Sequence, residues 1–128
     1  MPVAETIAAW LREQVQASGA QGLVFGLSGG IDSAVVARLC QMAARDACVG
    51  VIMPCHSDPQ DEADARLVAE HFSLPVLHVP LEGPFDALTE TADRASRDAP
   101  TLRPHPSDDV KARMPAANVK PRLRMATL

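Results

Sequence analysis

Ser28, Gly29, Gly30, Ile31, Asp32 and Ser33 separate an apolar run, residues 23–27, from a helix-forming run, residues 34–44. A small, flexible loop that leaves a buried strand and opens a helix gathers free backbone N–H groups and the positive end of a helix dipole at one point. That arrangement suits a chain of phosphates, so a nucleotide is the first ligand to test. Loops that serve transfer of a terminal phosphate read GxxxxGK[ST]. Here Ile31 follows the glycines and no lysine lies nearby, which disfavours that chemistry. The dinucleotide fingerprint GxGxxG also fails, because the glycines fall at 26, 29 and 30, and hydride transfer loses ground with it. The plain alternative is a glycine-containing turn with Asp32 as an ordinary acid in the first turn of a helix.

The second group of candidates follows the next apolar run. Residues 53–61 leave it at the same sheet edge as the loop, so Cys55, His56 and Ser57 are placed to wall an adenine or ribose pocket. Position alone supports this, and incidental polar loop residues would look the same. A zinc pair at Cys55 and His56 lacks further ligands at any suitable spacing. Asp58, Asp61, Glu62 and Asp64 read as acids at a helix start, where they favour the dipole. His71 and His78 lie among apolar residues and read as structural, while His105 sits in a proline-rich stretch and reaches a ligand only if that stretch closes over one. Near the C-terminal end, Lys120, Arg122 and Arg124 stand within Val119, Leu123 and Met125. Two arginines spaced by two do not share a helix face. One can reach a phosphate or carboxylate while the other meets a neighbouring acid, and a solvated basic face is equally compatible.

The elements that would hold these groups alternate. Ile7, Trp10, Leu11 and Val15 mark one face of a helix over residues 3–18, with Gly19 placed to stop it. Apolar runs at 23–27, 48–53 and 75–79 read as parallel strands buried on both faces, with helices over 32–44 and 61–72 between them. Strand–helix alternation predicts right-handed crossovers in a doubly wound parallel α/β sheet, whose ligands sit beyond the carboxyl ends of the strands. Residues 84–91 suit a short helix, residues 93–115 a mobile loop, and residues 118–128 a helix capped by Asn118 with Pro121 in its first turn. With 128 residues, 47% of them apolar, the chain is about one domain long and builds a core. A net charge of −4 offers no basic excess for nucleic acid, so small molecules are the expected partners. Three cysteines without a CxxC pair fit a reducing compartment. The absence of a signal peptide or an apolar run of about 18 residues predicts no membrane partner and a cytoplasmic location.

SGGxDS at residues 28–33 resembles the loop of enzymes that cleave ATP between its α- and β-phosphates. The resemblance implies ATP binding by Gly26, Leu27, Ser28, Gly29, Gly30, Ile31, Asp32 and Ser33, with Asp32 also holding Mg2+. Together with VIMPCHSDPQDEADA (51–65) and NVKPRLRMATL (118–128), the segment GLSGGIDSAV (26–35) resembles the N-terminal half of the NAD synthetase family. GMP synthetases, asparagine synthetases and tRNA thiolation enzymes share the first motif. The last motif discriminates, and it implies that Arg122 contacts deamido-NAD.

Family membership implies an adenine-nucleotide α-hydrolase-like, Rossmann-like fold and a two-step reaction needing ATP and Mg2+. The nicotinate carboxylate of deamido-NAD attacks the α-phosphate to give an adenylate and pyrophosphate. Ammonia then displaces AMP to give NAD. Direct use of ammonia is expected because no glutaminase domain precedes the loop, and a homodimer is expected from the family. Family members run to roughly double this length. The expectation is therefore a single ATP-pyrophosphatase-type domain over residues 1–128, incomplete, with its sheet truncated after the third strand region. Such a chain leaves the loop's strand unpaired on one side, binds ATP weakly and turns over nothing by itself. Another ATP pyrophosphatase (a tRNA-thiolating enzyme or an amidotransferase subunit) and a non-catalytic nucleotide-binding fragment are the alternatives.

Overall fold

A computed structural model describes residues 2–99 and 113–128, the latter with side chains from Asn118 onward. Helix α1 (Val3–Ser18) ends where Gly19 takes a left-handed φ of 70°, the stop that its lack of a Cβ permits. Strand β1 (Leu23–Gly26), helix α2 (Ile31–Ala43), strand β2 (Cys48–Ile52), helix α3 (Pro59–His71) and strand β3 (Val76–His78) follow in alternation. Helices α4 (Glu82–Asp98) and α5 (Arg113–Thr127) complete the described chain. The strands are parallel in the order β1-β2-β3, so β1 is an edge strand among the described residues.

Alternate strand residues divide the core in two. On one face Phe25, Leu27, Cys48 and Ile52 meet Ala37 and Cys40 of α2 and Ala65 and Ala69 of α3. The small helix residues let both helices come close to the sheet. Phe25 is paired with Gly50 in register, and a Cβ at Gly50 would stand 3.2 Å from the Phe25 ring. That glycine is what makes room for the aromatic side chain, whose burial contributes about 1.5–3 kcal/mol. On the other face Val51, Met53, Cys55 and Leu81 form a second cluster against Val79, Phe85 and Leu123. Helices therefore cover both faces, and α1 packs on α2.

Three expectations need correction. The strands are not buried on both faces throughout: Val24 is 52% and Leu77 55% exposed, because α4 and α5 cover Val51 on the middle strand but leave the outer strands open on that face. The stretch 93–115 is not one loop, since α4 continues through Asp98 and α5 begins at Arg113. Helix α4 buries no residue, so no apolar period marks its second half. Asn118 and Pro121 lie inside α5 rather than at its start. The proline removes one N–H from that helix. Residues 100–112, with His105, lie outside the described residues. No described helix is long and apolar enough to cross a membrane.

Candidate functional site

The loop after β1 lies at the carboxyl end of the sheet. Leu27 extends the pairing, its N–H donating to the Val51 carbonyl at 2.9 Å, and is buried. Gly29 has φ 86°, and a Cβ there would stand 2.6 Å from the Asp61 carbonyl oxygen and 2.9 Å from Asp64 Cβ. Both the backbone conformation and the contact with α3 require glycine. Gly30 is the N-cap of α2, extended and without a side-chain hydrogen bond to the helix start. The first N–H groups of α2 are left for a ligand or water.

The two serines hold the loop's shape. Ser33 Oγ donates to the Gly30 carbonyl at 3.0 Å and accepts from Ser28 N–H at 3.2 Å. Ser28 Oγ donates to Ser33 Oγ at 3.1 Å and accepts from Gly30 N–H at 3.4 Å. Ile31 and Asp32 stand exposed in the first turn of α2.

Beside this loop opens a cavity of about 770 Å³, walled by residues that include Ser28, Met53, Asp58, Lys120, Arg124 and Leu128. Its size falls within the usual range for small-molecule sites. Of the loop residues, Gly26, Leu27 and Ser28 line it; Gly29, Gly30, Ile31, Asp32 and Ser33 do not. The β2–α3 loop supplies another wall through Ser57 and Asp58. Asp58 caps α3, its carboxylate accepting from Gln60 N–H at 2.9 Å, with Pro59 preorganised in the first turn.

The basic cluster on α5 divides as its spacing requires. Arg124 is partly buried in the cavity wall, where Nε donates to the Met53 carbonyl at 3.1 Å and a terminal nitrogen donates to Ser57 Oγ at 3.2 Å. Its guanidinium carries five N–H donors, so these two bonds leave capacity for an anion. Arg122, the residue singled out by resemblance, is exposed and does not line the cavity. Lys120 and Arg124, four residues apart, share the cavity face with Pro121, Met125 and Leu128. That helical spacing, together with Leu123 packed in the core, was the available signal for choosing Arg124.

Of the remaining candidates, Cys55 is fully buried, and its thiol donates to the Leu81 carbonyl at 3.7 Å. Burial pushes this thiol up, outweighing the opposite pull of Lys120 and Arg124. His56 is exposed and bonds to Asp86, away from the cavity wall. His71 and His78 are exposed rather than enclosed; His78 lies 3.0 Å from Glu62. No group of three or more metal-ligating side chains occurs among the described residues.

Residues 3–128 match the family model described as NAD synthase. A curated relative from Carboxydothermus hydrogenoformans, an NH(3)-dependent NAD(+) synthetase, is 44% identical over 97% of this chain and 46% of its own length. A relative of the same description from Finegoldia magna is 42% identical over 97% of this chain and 45% of its own length. Among solved structures, the NAD+ synthetase of Burkholderia pseudomallei superposes with a TM-score of 0.80 at 26% identity, over 97% of this chain and 54% of the other. The NH3-dependent NAD synthetase of Campylobacter jejuni gives 0.76 at 27% identity, over 98% and 48%. The chain thus spans about half the length of the curated relatives it matches. Since the match to the family model runs from the start of α1 to Leu128, the loop at residues 28–33 and α5 included, the chain belongs to the NAD synthase family.

Proposed function

We propose that this chain carries the ATP-binding half of an ammonia-dependent NAD synthetase, an ATP-dependent ligase that amidates deamido-NAD to NAD and releases AMP and pyrophosphate. The observation that carries the reading is the uncapped start of α2 at Gly30, set beside a cavity whose α5 wall bears Arg124. Loop N–H groups receive the β- and γ-phosphates, joined by the Ser28 and Ser33 hydroxyls once these turn from their bonds within the loop, and charge growing on the departing pyrophosphate is met by these donors. Arg124 offers its remaining donors to an anionic group in the cavity. Arg122 enters the proposal as a contact to deamido-NAD made outside that cavity.

Magnesium fits this arrangement in a limited way. Asp32 gives one exposed carboxylate next to the loop, which suits an ion held by one carboxylate, phosphate oxygens and water. When bound, Mg2+ neutralises charge on the phosphates. No side-chain nucleophile is needed, because the attacking group is the carboxylate of deamido-NAD. A homodimer and a cytoplasmic location belong to the same proposal and follow the family resemblance.

Nuclear magnetic resonance of the chain titrated with Mg2+ and inorganic pyrophosphate tests the loop, and the amides of residues 28–33 are expected to shift most. Asp32→Ala should remove the Mg2+ dependence, and Arg124→Ala should weaken ATP binding more than Arg122→Ala does. For the reaction, the chain is joined at Leu128 to the second half of the Finegoldia magna relative and AMP release is followed. Release that ignores deamido-NAD or ammonia refutes the ligase reading.

A further inference from the structure

His56 occupies the left-handed region, with φ 50°, in the loop that carries Ser57 to the cavity. A non-glycine residue there is held against its preference, and such geometry persists only where surrounding contacts impose it. The contacts come from α4. His56 Nε2 lies 2.7 Å from Asp86 Oδ1, so the ring N–H donates to the carboxylate. The His56 ring also meets Phe85 edge-on, with centroids 5.7 Å apart and planes at 70°. The loop is tied to the start of α4 twice more, by Leu81 N–H donating to the Pro54 carbonyl at 2.8 Å and by the Cys55 thiol donating to the Leu81 carbonyl.

Beyond His56 the chain of contacts continues into the site. Ser57 Oγ accepts from Cys55 N–H at 3.2 Å and from Arg124 at 3.2 Å, while Met53, at the other end of the same loop, accepts from Arg124 Nε. A long arginine side chain has many rotamers, and these two acceptors select one. The His56–Asp86 side chains are 48% and 61% exposed, and an exposed pair contributes little to global stability. Its effect is local: it selects the backbone geometry that aims the Ser57 hydroxyl at Arg124.

We infer that His56 and Asp86 form a clamp between the β2–α3 loop and α4 that positions Arg124 for an anionic ligand in the cavity. His56 is a positioning residue, acting through Ser57 and Arg124. The inference rests on the ATP-binding reading only for the identity of the ligand, because the clamp acts on Arg124 whether or not nucleotide is present.

Solvent exchange of the Arg124 Nε–H, followed by NMR on the 128-residue chain, reads the clamp directly; calorimetry with Mg2+ and ATP reads its consequence. His56→Ala and Asp86→Ala should each speed that exchange by roughly fivefold or more and weaken ATP binding roughly three- to tenfold. The double variant should be no worse than either single one, since both remove the same link. His56→Gln, long enough to donate to Asp86, should stay within about twofold of the parent chain. Wild-type exchange in folded His56→Ala and Asp86→Ala overturns the inference. So does a His56→Gln variant as impaired as His56→Ala. Failure of the parent chain to bind ATP sinks the nucleotide reading instead, and the exchange rates still decide the clamp.

Discussion

Adjacent glycines in the loop after β1 have different jobs, and substitution separates them. Gly29 combines φ 86° with backbone of α3 at 2.6 Å, so Gly29→Ala should cost about 2 kcal/mol or more, seen as a lower urea midpoint. Gly30 has φ −76° and meets nothing closer than 3.5 Å, so Gly30→Ala should change stability by no more than about 0.5 kcal/mol while weakening the proposed phosphate contact. The thiols give a pH-dependent readout. Burial raises Cys40, Cys48 and Cys55 above the ordinary thiol value, so the folded state holds its protons more tightly than the unfolded chain does. All three should resist a thiol reagent near neutral pH, and folding stability should fall as pH climbs past the free-thiol value. Rapid labelling of the native chain at pH 7 would contradict this. The loop between β1 and α2 was readable because glycine and serine act on the backbone locally. The choice between Arg122 and Arg124 also needed the direction in which α5 docks.

At the scale of elements, α2 lacks the glycine stop that ends α1. Its last carbonyls are served from outside: Arg12 of α1 donates through Nε to the Ala43 carbonyl at 3.2 Å and through a terminal nitrogen to that of Met42 at 3.1 Å. A cation at the carboxyl end of a helix also complements its dipole. Arg12→Ala should therefore lower stability by about 1–2 kcal/mol in denaturant titration. Arg12→Lys should recover only part of that, because lysine lacks the planar fork. Helix α1 was legible from apolar spacing and its Gly19 stop, and α2 and α3 from their place between apolar runs. The second half of α4 was not: residues 91–98 are all exposed, and the surface pair Arg94–Glu90 at 2.9 Å replaces any buried period.

For the whole molecule, the uneven cover of the sheet matters most. Val24 and Leu77 project from the same face as Val51, yet α4 and α5 cover the middle strand at Val51 and leave both outer strands, β1 at Val24 and β3 at Leu77, open. With β1 at the edge among the described residues, exposed apolar side chains adjoin unpaired backbone. Such surfaces associate. Sedimentation velocity on the chain should show concentration-dependent self-association, reduced in Val24→Lys and Leu77→Lys at little cost to the urea midpoint. A monodisperse monomer at high concentration would count against an adhesive face.

The order of elements, the glycine-serine loop at residues 28–33 and its place at the carboxyl end of a parallel sheet were written in the sequence, because apolar periodicity, a glycine stop and loop composition act over a few residues. Tertiary structure alone decided that Arg124 enters the cavity, that His56 meets Asp86 thirty positions away, and that both outer strands stay open on one sheet face. Each of these depends on how α4 and α5 pack across the sheet, where contacts join residues distant in the chain and no local spacing encodes the docking.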